Sequence, residues 1–287
     1  MIDLRASLKS FQICLSEFLG SRRCFVIMGM TVLFCFYIYI PFVRIAHFYE
    51  STIPPAVFIT YTGNYLMKVF HSSLVAFMYS SILKLDGYSS WNIIRTGKGN
   101  YYIGQCLYIM VLAVLYEFFL FAVVVLFILP AMHINNEWGP FLHQFSANTV
   151  VMAQTVGVSV SSGLGETVMQ YLNPFQAIAL SMLYLWLTMV FSGSVIMMFT
   201  VFFNRYVGFA AIGILIMMLV FCWSMGSLIM GPVIFKYSPL NWSDIQILKW
   251  GESGNEVSPL YALAVLSVGI IVMFMLSGIK FMKKDTV

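Results

Sequence analysis

The chain has 287 residues, of which 61% are hydrophobic and only 9% charged. A soluble domain carries roughly 25% charged side chains, so this composition excludes a water-facing globule and requires a surface that mostly meets lipid. The net charge of +4 comes without any Lys/Arg-rich run, so nucleic acid is excluded as a partner and membrane lipid takes its place.

Residues 1–22 read as a cytoplasmic amphipathic N-terminal helix. Leu4, Leu8, Phe11, Leu15 and Phe18 recur at alternating four- and three-residue steps and share one helical face, with Arg5, Lys9, Gln12 and Ser16 off it. A charged helix with one apolar stripe ahead of a span lies flat in the membrane interface; the competing reading is a helix packed on a partner protein. The apolar run that begins at Cys24, after Arg22 and Arg23, is longer than a signal-peptide core and reads as a retained first span.

Residues 23–287 then form a six-helix transmembrane domain. The spans fall at about 24–43, 65–85, 103–129, 174–203, 207–230 and 259–279, each near the ~20 residues that cross a ~30 Å hydrocarbon core. Pro54-Pro55 breaks the chain ahead of an apolar stretch, 56–85, that contains Asn64, Lys68 and His71; the crossing is taken from Tyr65, with the residues before it outside or partly re-entrant. Asn173-Pro174 and Ser258-Pro259 mark the starts of spans four and six, a capping side chain followed by proline at the first helical position. Pro130 and Gly231-Pro232 mark the ends of spans three and five. The expected fold class is therefore an all-α integral membrane protein with an interfacial leader.

Charge sets the orientation. With a cytoplasmic N-terminus, eleven of the fifteen Lys and Arg fall inside: Arg5, Lys9, Arg22, Arg23, Lys84, Arg95, Lys98, Arg205, Lys280, Lys283 and Lys284. Glu50, Glu137, Glu166, Asp244, Glu252 and Glu256 fall outside. Both termini are then cytoplasmic, in a multi-pass protein of the cell membrane.

Two outer segments are long. Residues 131–173, with Ser159, Ser161, Ser162, Gly163 and Gly165, are too apolar for a free loop and too polar for a span, so short helices resting at the outer interface or dipping into the membrane are expected there. In 231–257, Ser243 is expected to cap a helix of one or two turns whose Trp242 and Trp250 sit at headgroup level. Asn241-Trp242-Ser243 also matches the glycosylation sequon, a weak three-residue signal set below the capping role.

The cytoplasmic loop 86–102 is the most informative polar stretch. Ser90 can cap a short helix from Trp91 to Thr96, and Gly97 can end it in a left-handed conformation. Trp91 and Ile94 project from one side with Arg95 beside them, a composition suited to a protein-binding knob. The plainer reading is a basic inner loop with Trp91 as an interface anchor.

The run -IIRTGKGNYYIGQCLYI- entering a long third span resembles the permease subunits of ATP-binding-cassette transporters, the type-2 exporter class. The resemblance extends over nearly the whole chain at the level of layout. It implies that Trp91, Asn92, Ile93, Ile94, Arg95 and Thr96 form a coupling helix docked on a nucleotide-binding ATPase subunit. It also implies a second permease subunit, in a homodimer or heterodimer, and alternating access driven by ATP. Residues 131–173 depart from that class, where the corresponding segment is short. No Gly-x-x-x-x-Gly-Lys-Ser/Thr occurs, and Gly97-Lys98-Gly99 lacks its spacing and hydroxyl. ATP and Mg2+ would therefore sit on the partner subunit, with no cofactor bound directly and no catalytic site in this chain.

Besides Lys84 at the inner end of span two, Lys68, His71 and Glu117 fall within the spans. Glu117, near the middle of span three, is costly unless paired, hydrated or protonated; a cavity-lining role and a bundle-facing hydrogen bond are both open. Lys68 and His71 share a face of span two, and a Lys68–Glu117 pair is the weak option for joining them. These three are the candidate translocation-pathway residues. The four histidines and five cysteines show no metal-ligand spacing and no disulfide framework. The expected function is the membrane subunit of an ATP-driven exporter of a hydrophobic or amphipathic substrate (a peptide, drug or lipid-linked molecule). The alternative is a non-transporting membrane scaffold, immunity or sensor protein.

Overall fold

Long apolar runs with capped starts give long helices, and a computed structural model shows them. It describes residues 3–83, 87–160, 163–251 and 257–283, without the side chains of residues 87–90. Lys84, Asp86, Ser161, Ser162, Glu252, Glu256 and Lys284, and the capping side chain expected of Ser90, lie outside the described residues.

The protein is all-α, with no strand among the described residues. Its α-helices are α1 Leu4–Leu19, α2 Arg22–Phe48, α3 Thr60–Gly63, α4 Tyr65–Met78, α5 Gly87–Thr96, α6 Lys98–Ile128, α7 Gly139–Val156, α8 Glu166–Tyr171, α9 Pro174–Phe202, α10 Arg205–Phe221, α11 Ser227–Met230 and α12 Pro259–Lys283. Five helical stretches are long and apolar enough to cross a membrane: Arg22–Phe48, Lys98–Ala131, Pro174–Phe202, Arg205–Tyr237 and Pro259–Lys283. The chain is thus a multi-pass membrane protein by length and composition.

The start signals work as expected. Asn173 and Gln176 form a reciprocal capping box ahead of α9, and the Ser258 hydroxyl accepts from the Tyr261 amide at the head of α12. The helix α9 is the axis of the bundle. It is buried along most of its length and packs against α4, α6, α10 and α12.

Span two differs from its expected form. The helix α4 has 14 residues, about 21 Å at 1.5 Å per residue, short of a ~30 Å core. Before it come a 3-10 turn at Pro55–Ile59 and the short α3, and both are buried. Asn64 separates α3 from α4 by leaving the helical conformation, and its side chain accepts from the Leu66 amide to start α4. A 3-10 turn at Tyr79–Ser81 ends it. There Arg23 bonds the Ser80 hydroxyl and Arg205 bonds the Ser80 carbonyl, so two cations meet the negative end of the helix.

Span five is interrupted as well. A π turn at Cys222–Gly226 separates α10 from α11, where an unbroken helix to Met230 was expected. Span three begins at Lys98, directly after Gly97, and ends in a 3-10 turn containing Pro130. In 131–173 the helix α7 runs 18 residues with a kink at Asn148, longer than the short helices expected there.

Two expectations for 231–257 are corrected. Ser243 ends a 3-10 turn, Pro239–Ser243, rather than starting a helix, and its hydroxyl donates to the Leu240 carbonyl at 2.9 Å. Trp242 is buried, donating to the Phe235 carbonyl at 2.7 Å and packing edge-on against Tyr261. The segment folds back on itself because its indoles find carbonyl acceptors within it, so Trp242 is a core residue rather than a headgroup anchor.

Candidate functional site

At one end of the bundle, α1, α5 and the first turns of α6 form a corner. A face of α1 that the apolar stripe does not include builds it. Ser7 and Ser10 are fully buried, while Leu4 and Leu8 of the stripe stay exposed and only Phe18 is buried. Small residues on this face let α1 lie against α6. A Cβ on Gly104 would come within 2.8 Å of the Ser10 Cβ and 3.0 Å of the Ser7 carbonyl, so only glycine fits there. One step along, Gln105 Nε2 donates to Cys14 Sγ at 3.0 Å.

Asn100 ties the three elements together. Its Oδ1 accepts from the Asp3 amide at 2.8 Å and the Ser7 hydroxyl at 3.4 Å, and its Nδ2 donates to the Thr96 carbonyl at 2.7 Å. The helix α5 begins at Gly87 rather than at Trp91. At its end the Gly97 amide donates to the Ile93 carbonyl at 2.8 Å, and Gly97 has the expected positive φ, +82°, but with an extended ψ of 148° in place of the left-handed helical value, a conformation that glycine alone adopts without strain.

The expected knob residues divide into two groups. Trp91 and Ile94 are 66% and 74% exposed, and Arg95 is exposed beside them. Asn92 and Ile93 are buried, and Asn92 Nδ2 donates to the Ser10 hydroxyl at 3.4 Å. Thr96 is half-buried, donating to the Asn92 carbonyl. The inner face of α5 is therefore fixed to α1, and the outer face presents an indole, a branched aliphatic and a guanidinium.

The three membrane-embedded candidates do not form one cluster. Lys68 Nζ lies 3.1 Å from Asp244 Oδ2, with both side chains buried. The expected Lys68–Glu117 option is thereby replaced, because Asp244 turns inward from the 231–250 segment and takes the ammonium. Lys68 also sits 4.4 Å from the centre of the Trp223 ring, a cation–π contact. The π turn of span five presents that ring, and Trp223 Nε1 donates to Asn241 Oδ1 at 2.7 Å. Asn241 Nδ2 in turn donates to the Ser238 hydroxyl at 2.8 Å.

One turn along α4, His71 Nδ1 is 3.3 Å from the Tyr61 hydroxyl, and its ring lies beside Tyr116. The Tyr116 hydroxyl is 2.9 Å from Thr31 Oγ1. Glu117 is buried, and its Oε1 meets no hydrogen-bond partner among the described residues. No group of three or more His, Cys, Asp or Glu that could hold a metal occurs among the described residues.

Sequence reasoning missed Asp244, Tyr61, Tyr116 and Trp223 as interior partners, and the Ser7–Ser10 face of α1. The last carried a signal: Ser7, Ser10 and Cys14 follow helical spacing as a small-residue face. Comparison with known proteins finds no matching family model, no matching curated protein and no matching solved structure.

Proposed function

We propose that this chain is the membrane subunit of an ATP-driven exporter of the type-2 ATP-binding-cassette class. The observation that carries the reading is the division of α5. Trp91, Ile94 and Arg95 face outward on a helix whose other side is pinned through Asn92 and Asn100 to α1 and α6. A rigidly supported aromatic and arginine is the anchor chemistry of a protein interface. It is also what a force-transmitting contact requires, since a knob on a loose loop would yield instead of moving the helix behind it.

In this reading the chain crosses the cell membrane six times, with α4 and the turns around it as the second crossing and both termini in the cytoplasm. Arg5, Lys9, Arg22, Arg23, Arg95, Lys98, Arg205, Lys280 and Lys283 all lie on elements at the α1–α5 end, which the excess of cations makes the inner end. A separate nucleotide-binding subunit holds ATP and Mg2+ and docks on α5. A second permease subunit completes the assembly. The cargo is hydrophobic or amphipathic, and its path runs beside the interior polar residues Lys68, His71 and Glu117.

Purification of the tagged chain from its native membrane tests the reading. An ATPase subunit should co-purify, and the W91A/R95A double variant should retain about a tenth or less of it, as loss of an interface hot spot predicts, with insertion unchanged. Full retention by the variant would remove α5 as the docking element. Absence of any ATPase from the unaltered protein would favour the scaffold or sensor reading.

A further inference from the structure

The chamber beside His71 carries an inference independent of the transport reading. A small cavity lies between α4, α9 and the turn Pro239–Ser243, lined by the polar residues His71, Ser72, Thr188, Ser192 and Ser243 together with three apolar side chains. Every lining residue is buried, His71 with 6% of its surface accessible. Its Nε2 has no hydrogen-bond partner among the described residues, although buried ring nitrogens in native proteins are normally bonded.

The bonding around the cavity is lopsided. Thr188 donates to the Leu185 carbonyl at 2.8 Å, Ser192 to the Thr188 carbonyl at 2.8 Å, and Ser243 to the Leu240 carbonyl at 2.9 Å. Each hydroxyl proton is committed to the backbone, so these three oxygens offer the cavity lone pairs only. His71 adds one more site, a donor or an acceptor according to whether the Tyr61 hydroxyl donates to Nδ1 or accepts from it. An apolar occupant would leave His71 Nε2 unpaired and the free lone pairs of the three hydroxyls unused. A small occupant that carries donors for these lone pairs and can also accept suits this lining, which includes the Ser72 hydroxyl as well.

We propose that this cavity is a binding site for a single structural water, which joins His71 Nε2 to hydroxyls of α9 and of the turn before Asp244. In one tautomer the water accepts from Nε2–H and donates to two hydroxyl oxygens. In the other it donates to Nε2 and to one hydroxyl oxygen. Both fall within the two to four bonds that buried waters make. The site makes the seam between α4, α9 and the 231–250 segment a hydrated joint. It extends a line of polar contacts that starts at Thr31 and runs through Tyr116 and the Tyr61–His71 pair.

An experimental structure of the full chain at a resolution that shows ordered solvent tests this directly. One density peak is expected within hydrogen-bond distance of His71 Nε2 and of at least one of the Thr188, Ser192 and Ser243 hydroxyls. A dry cavity, or His71 Nε2 bonded to a protein group, would overturn the assignment. A variant pair gives a second readout. Ser192→Val fills the space, and should lower the thermal midpoint by several degrees in the natural chain but much less in a His71→Leu background. Equal drops in the two backgrounds would also overturn it.

Discussion

Lys68 Nζ and Asp244 Oδ2 stand 3.1 Å apart with both side chains almost wholly out of solvent, 176 residues apart in sequence. The pair fastens the 231–250 segment to α4. Coulomb attraction in such a place is offset by the desolvation of two charges, so its net stabilisation is small, whereas removing one partner leaves the other charge buried alone. Lys68→Met or Asp244→Leu singly is therefore expected to cost about 3–5 kcal/mol. The Lys68→Met/Asp244→Leu double variant should recover most of that loss. Thermal denaturation of the detergent-solubilised protein in a double-mutant cycle reads both effects; additive losses would show that the two side chains do not act as a pair.

The corner built on Gly104 gives a second prediction. A side chain there would collide with the Ser10 Cβ and the Ser7 carbonyl. Since one of the obstacles is backbone, α1 must move rather than a rotamer. Gly104→Val is expected to lift α1 off α6, breaking the Asn92–Ser10 and Ser7–Asn100 bonds. Proteolysis between α1 and α2 should accelerate by at least tenfold while the five long helices stay inserted. Gly104→Ala should show a weaker form of the same defect.

Cys14 offers a chemical check on the same corner. Burial, and secondarily the charge of Glu17, pushes its thiol up to about 11, against the Gln105 amide that donates to it. The thiolate is the nucleophile, and a rise of two units from 9.0 lowers the thiolate fraction at neutral pH by about 100-fold. Maleimide labelling of Cys14 at pH 7 is thus expected to be slow. It should rise with pH across the alkaline range and become fast in Gly104→Val, where α1 is released. Rapid labelling of the unaltered protein would mean that this face of α1 is open.

How much of this was legible in the sequence depends on the range of the interaction. The long helices were readable because their signals are local: the caps at Asn173 and Ser258, and apolar runs matched to a bilayer. The exposed trio Trp91, Ile94 and Arg95 was readable from helical spacing for the same reason. The expected span two was only half readable: a 3-10 turn, α3 and α4 stand where one long helix was expected, and tertiary burial rather than propensity holds the first two in place. The partner of Lys68 could not be read at all. Asp244 lies in a segment whose local pattern suggested a surface helix, and only the fold brings its carboxylate to α4. Ser243 illustrates the same failure in miniature, since serine ends a 3-10 turn as readily as it caps a helix, through its bond to Leu240.

Asn241 supplies the last prediction. Its sequon would place a glycan on a surface loop, yet the residue is wholly buried. Its amide is used at both ends, Oδ1 accepting from Trp223 and Nδ2 donating to Ser238. An oligosaccharide at that nitrogen is incompatible with the packed segment, so expression in a glycosylating host should yield folded protein of unshifted mass. The side chain matters instead for the indole it holds. Asn241→Ala leaves the half-buried Trp223 Nε1 without its acceptor, at a cost of about 0.5–1.5 kcal/mol. It also frees the ring from its place beside Lys68. Asn241→Asp keeps the acceptor but gives up the donation to Ser238 and adds a second carboxylate to a segment that already holds Asp244. It should therefore be the more damaging of the two in thermal unfolding. If alanine proves the worse, the acceptor for Trp223 outweighs the added charge.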